Sequence, residues 1–178
     1  MARLLMASLL LFSLAGCLPR ATSSGEEMVY VPAGAFWMGS NKGDADERPT
    51  QQIYLRAFWV DRYEVTNAQY AEFMNATQGD QGRCGGHICA DTKAENPDSH
   101  LLYQEGRYMA ERGYDDHPVT EVSWYGAQAY CERYGKRLPS EAEWEKAARG
   151  TDGAAYPWGE EFDPHRPTRT IASATRCP

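Results

Sequence analysis

The sequence predicts an α+β fold with few short helices and strands and long loops. Three observations point there. Short stretches carry helix N-caps followed by apolar stripes. The strand-like runs are brief and rich in aromatic and β-branched residues. Residues 79–113 show no sustained period and many turn formers, which predicts a loop insertion. At 178 residues, 42% hydrophobic and 12% aromatic, the chain is one domain's worth with ample material for a core. Its net charge is −7 and its basic residues are scattered, which argues against a nucleic-acid partner.

"MVYVPAGAFWMGS" predicts short strands at 29–31 and 35–38 around a Pro-Ala-Gly turn. "QIYLRAFWVDRYEV" reads as strand, and "HPVTEV" as another. Thr66 with Gln69 forms a capping box for a helix whose stripe is Tyr70, Phe73 and Met74. Ser123 caps a second helix, "WYGAQAYCERY", with Ala127, Tyr130, Cys131 and Tyr134 inward. The third, in "GKRLPSEAEWEKAARG", has a Ser140–Glu143 capping box, acidic residues at its start, basic ones at its end, and Gly150 as terminator. Its one large apolar residue, Trp144, is expected to dock it on the core. After Gly150 the text offers turns and an aromatic plug, Tyr156 and Trp158, with no closing helix or strand expected.

Residues 1–16, "MARLLMASLLLFSLAG", have Arg3, an apolar run and then small residues. The run has the length of a signal peptide's apolar region and is too short for a spanning helix. With Cys17, the ending "LAGC" resembles the bacterial lipobox. It implies cleavage before Cys17, lipidation of Cys17, a tether over 17–27, and residence in the bacterial cell envelope, facing the periplasm or exterior. The membrane would then be a partner through the lipid anchor.

Cys84, Cys89, Cys131 and Cys177 remain, and in an oxidising compartment disulfides are the first reading. Cys84 and Cys89 flank two glycines and are expected to close a small disulfide loop, exposed on the insertion; His87 between them leaves a zinc reading open. Cys131 is either a small core residue or a disulfide partner of a distant cysteine. Asp44, Asp46 and Glu47 lack the spacing of a calcium loop and are read as solvated. The sequon at Asn75–Thr77 is taken as coincidental.

Four blocks, "MVYVPAGAFWMGS", "FWVDRYEVTNAQYAEFMNAT", "HPVTEVSWYGAQAYCERYGKRLPSEAEWEKAARG" and "YPWGEEFD", together resemble the formylglycine-generating enzyme (sulfatase-modifying factor) domain, from about Met28 to Asp163. The resemblance implies a fold related to the C-type lectins. It implies an activity that oxidises a cysteine of a client sulfatase to formylglycine, with oxygen and with copper held by two cysteines. In the family, a "GNVWEW"-like block, an "RGGSW"-like block and the copper cysteines follow. Residues 28–178 are therefore expected to be a partial domain, truncated at its C-terminal side.

None of the four remaining cysteines matches the copper pair, and Thr170 stands where a calcium-binding asparagine is expected. No catalytic residue, metal ligand or cofactor is thus assigned to this chain; copper and calcium belong to the complete domain. The implied reading is a lipid-anchored member inactive alone, with a protein or peptide as possible client. The alternative is a non-catalytic binding or structural lipoprotein module, with Tyr103, Tyr108 and Tyr114 as exposed candidates.

Overall fold

The computed structural model describes residues 27–77, 82–156, 158–166 and 175–176. Residues 1–16, expected to be a signal segment, and Cys17, Thr170 and Cys177 lie outside them.

The architecture is α+β, with short strands in small separate sheets. β1 (Met28–Val31) pairs antiparallel with β4 (Phe58–Asp61), and β2 (Gly34–Met38) with β3 (Gln51–Leu55). The first two strands therefore do not pair with each other, and the strand-like run after residue 51 divides between two sheets. On β4, Phe58 and Val60 are buried while Trp59 alternates to the exposed side, the period-two signature of a strand with one face on the core. α1 (Asn67–Ala76) begins at the Thr66–Gln69 capping box, with Tyr70, Phe73 and Met74 buried.

The insertion is not the loop that its composition suggests. It folds as two hairpins, β5 (Arg83–Cys84) with β6 (His87–Ile88) and β7 (Leu101–Gln104) with β8 (Arg107–Ala110). Cys84, Cys89, Ala90 and Leu101 join Tyr70, Phe73 and Met74 in the main core. Its irregular backbone is anchored by side chains, as buried polar groups require. Asn75 bonds both ways with Tyr108, its Nδ2 donating to the carbonyl and its Oδ1 accepting from the N–H, each at 2.8 Å. Glu111 receives the Lys93 ammonium and His100 Nδ1.

Residues 117–122 are not a strand either. They touch their neighbours through isolated bridges, Pro118 with Thr66 and Val122 with Ala90, and Glu121, at φ +57°, turns the backbone out of extended geometry. Here Asn67 replaces a ladder: its Nδ2 donates to the carbonyls of Tyr114 and His117 at 3.0 Å and of Pro118 at 3.3 Å. Its buried Oδ1 has no partner among the described residues. At the far end β9 (Thr175–Arg176) adds to β4, so a closing strand exists where none was expected.

α2 (Trp124–Arg133) and α3 (Glu141–Arg149) follow, capped by Ser123 and by the Ser140–Glu143 box. α3 does not dock through Trp144, which stays 38% exposed. Its buried residue is Lys146, whose ammonium reaches the carbonyls of Pro32 at 2.8 Å and Gly34 at 3.0 Å. Glu145 accepts from Gly39 N at 2.8 Å and pairs with Arg149, whose guanidinium bonds the Gly39, Gly153 and Ala154 carbonyls. The helix is a rack of polar side chains that satisfies the backbone of the turns around β2.

This docking orders two substitutions. Lys146→Ala leaves two carbonyls without their donor, at about 1–3 kcal/mol each when solvent does not replace it. Trp144→Ala removes a partly exposed indole and is expected to cost less than the ~3–5 kcal/mol of a core tryptophan. Denaturant unfolding of both variants checks the order; a larger loss for Trp144→Ala contradicts it.

Candidate functional site

The best-formed hollow lies between α2 and α3, with a volume of about 430 Å³. Local sequence sets its walls. Ser123 Oγ accepts from Gly126 N at 3.0 Å and donates to the Ile88 carbonyl, which aims α2 so that Trp124, Ala127 and Cys131 fall on the groove side. Lys136, buried with its ammonium 2.8 and 2.9 Å from the Asp61 carboxylate, ties the α2–α3 connection to β4. Arg137, paired bidentately with Glu143, and the Ser140 cap then set the start of α3. This puts Glu141 and Trp144 on the opposite wall.

The floor contains Tyr70 and Cys131. The Tyr70 hydroxyl donates to the Cys89 carbonyl at 3.1 Å, and burial, reinforced by the nearby Cys131 thiol, holds its pKa far above the ordinary phenol value. Burial also pushes the Cys131 thiol up to about 11, the Asp61 carboxylate adding to the rise and Lys136 opposing it. Burial thus favours the neutral form of both groups.

Cys84 and Cys89 are joined by a disulfide, with Cα atoms 5.2 Å apart. The exposed setting expected for them is corrected. Cys84 is 5% exposed and Cys89 fully buried, because α2 closes over the loop. A Cβ on Gly126 would stand 2.0 Å from the Cys89 carbonyl oxygen. His87 stacks on Tyr125 at 3.6 Å. Cys131 is a free thiol. Among the described residues no three His, Cys, Asp or Glu side chains are grouped to hold a metal.

Tyr103 is exposed and leans on the partly buried Tyr108 at 4.6 Å, while Tyr114 stacks on His100 at 3.6 Å. Asp46 and Glu47 border another hollow with Lys42, Arg48 and Arg149. Sequence reading missed Lys136, Lys146, Asn67 and Gly126, because nothing local distinguishes them from a surface lysine, an ordinary helix residue or a helical glycine.

Residues 15–175 match the sulfatase-modifying factor enzyme 1-like domain family. The chain belongs to that family. Formylglycine-generating enzymes are among its relatives. That of Thermomonospora curvata is 38% identical over 162 residues, covering 77% of this chain and 54% of the relative. That of Bos taurus is 34% identical over 174 residues, covering 78% and 44%. The serine/threonine-protein kinase Pkn1 of Chlamydia trachomatis is 41% identical over 138 residues, covering 77% of this chain and 22% of the kinase. The chain thus spans about half the length of those two formylglycine-generating enzymes and about a fifth of the kinase. Among solved structures, PvdO from Pseudomonas aeruginosa superposes with a TM-score of 0.50 at 24% identity, over 80% of this chain and 53% of PvdO. That likeness establishes the fold, a sulfatase-modifying-factor architecture of few helices, short strands and long loops.

Of the described cysteines, two are joined in a disulfide and the third is a buried free thiol.

Cys131 offers a direct check. With its pKa near 11 and its side chain buried, alkylation of the folded protein at pH 8 should be slower by at least ~10-fold than in denaturant. The folded rate should climb as pH rises toward 11. Site-resolved mass spectrometry measures this, and equal rates in the two states contradict the buried, protonated thiol.

Proposed function

We propose that this protein is a lipid-anchored member of the sulfatase-modifying factor family, held at the bacterial cell envelope through Cys17, whose residues 28–178 do not generate formylglycine by themselves. The carrying observation is the state of the described thiols. Oxidation at a cysteine β-carbon with oxygen needs a redox metal, and thiolates are the ligands that select copper(I). Cys84 and Cys89 are spent on each other, and Cys131 is a neutral floor residue of an apolar groove. The "LAGC" ending supports the anchor.

The test is incubation of the purified full chain with copper, oxygen, a reductant and a peptide bearing a Cys-x-Pro-x-Arg motif. No formylglycine above a no-enzyme control is expected; copper-dependent turnover refutes the proposal. The anchor is tested separately. Cells fed a labelled fatty acid should label the parent and not Cys17→Ser, and equal labelling of the two removes the envelope assignment.

A second reading, a non-catalytic binding module on the same scaffold, is favoured by the groove between α2 and α3. It is well formed and lined mainly by apolar side chains.

A further inference from the structure

We infer that the Cys84–Cys89 disulfide is an oxidation-dependent latch. Its formation fixes the Cys89 carbonyl that seats α2 on α1, and α2, once seated, seals the two sulfurs against reductant. The device is independent of the anchor at Cys17 and of copper, and its parts all lie among the described residues.

The hairpin that carries the pair is weak by itself. β5 and β6 contribute two residues each, joined through Gly85 and Gly86, both at positive φ. A two-stranded hairpin is marginal in water, and paired glycines give its open form the most conformational freedom. The bond between Cys84 and Cys89 closes it covalently, and the Cys89 N–H donates to the Gly82 carbonyl at 3.1 Å. Without that bond, the position of Cys89 depends on a very short ladder.

α2 takes its place from this residue. β5 and β6 are the strands it packs on most closely. The Ser123 N–H donates to the Cys89 carbonyl at 3.0 Å, and the Ser123 hydroxyl to the carbonyl of Ile88. Val122 bridges to Ala90. From α1, the Tyr70 hydroxyl reaches the same Cys89 oxygen at 3.1 Å. Gly126 permits the approach, since a Cβ there would stand 2.0 Å from that oxygen. The contacts that hold the start of α2 thus fall on residues 88–90, directly beside the disulfide.

Seating then hides the sulfurs. Cys84 is 5% exposed and Cys89 0%, whereas reduction requires a nucleophile to reach one sulfur of the pair. Formation is a thiol–disulfide exchange. Two thiols and an external disulfide become the Cys84–Cys89 bond and two external thiols, the external disulfide taking both electrons and both protons. Oxidation favours seating and seating protects the oxidised pair, a coupling that must run both ways.

The test follows amide hydrogen exchange of the full chain, purified oxidised, by peptide-level mass spectrometry. Residues 123–133 are expected to exchange at least ~10-fold faster in Cys84→Ala/Cys89→Ala, and in the parent refolded under tris(carboxyethyl)phosphine, while β1 and β4 keep their protection. The converse arm uses Gly126→Ala, which holds α2 off Cys89 with the disulfide intact. Site-resolved alkylation should show its Cys84–Cys89 bond reduced by the phosphine, without denaturant, at least ~10-fold faster than the parent's. Should Gly126→Ala lose protection in β1 and β4, Ser123→Ala, which removes the cap and the Ile88 contact, replaces it with the same expectation. Parental exchange over 123–133 in either the double variant or the reduced parent overturns the latch, as does a parental reduction rate in the α2 variant. Loss of protection in β1 and β4 together with α2 on reduction also overturns it, since the pair is then a staple of the whole fold. So does an oxidised parent without protection over 123–133.

Discussion

The carbonyl of Cys89 is the point on which the core turns. It accepts the Tyr70 hydroxyl from α1 and the Ser123 N–H that precedes α2, while the disulfide to Cys84 fixes the loop that presents it. Three segments far apart in sequence thereby share one buried oxygen. A carbonyl has two lone pairs and both are used. The arrangement works because position 126 is glycine. A methyl group there would collide with that oxygen and also stand 2.4 Å from the Tyr70 hydroxyl, forcing α2 outward. The groove wall formed by Trp124, Ala127 and Cys131 follows from that single close approach.

Legibility in the sequence followed the range of the interaction. The caps at Thr66, Ser123 and Ser140 are local and were readable from a few residues each. Sheet pairing was not: β1 and β2 lie side by side in sequence and pair with different later strands. The insertion was misread because glycine-rich polar text describes exposed loops and buried loops with satisfied backbones equally well. In α3 the single tryptophan looked like the anchor, yet the anchor is a lysine, since the surface beneath it offers carbonyl oxygens more than apolar atoms. The groove was beyond sequence reading, because it exists only once residues from 64 to 144 are brought together.

Buried cations carry much of this fold. The Lys136–Asp61 pair is nearly dry, with side-chain exposures of 0% and 7%, and burial lowers the pKa of Lys146, which rests on two carbonyls and over the Phe36 ring at 6.0 Å. Such groups give modest net stability, because desolvation offsets much of the attraction, but losing one partner is costly. Their value here is positional. Each admits one placement of the α2–α3 segment against the N-terminal strands, where an apolar contact would tolerate sliding.

The sequence distance spanned by these cations has a bearing on when the molecule becomes a molecule. Lys146 grips Pro32 across 114 residues, and Lys136 grips Asp61 across 75. Closing loops of that size is entropically slow, and chains dominated by such pairings acquire their structure late. The first strands therefore emerge with their carbonyls hydrated and their partners still unmade. Their carbonyls at Pro32 and Gly34 meet the Lys146 ammonium only once α3 is present.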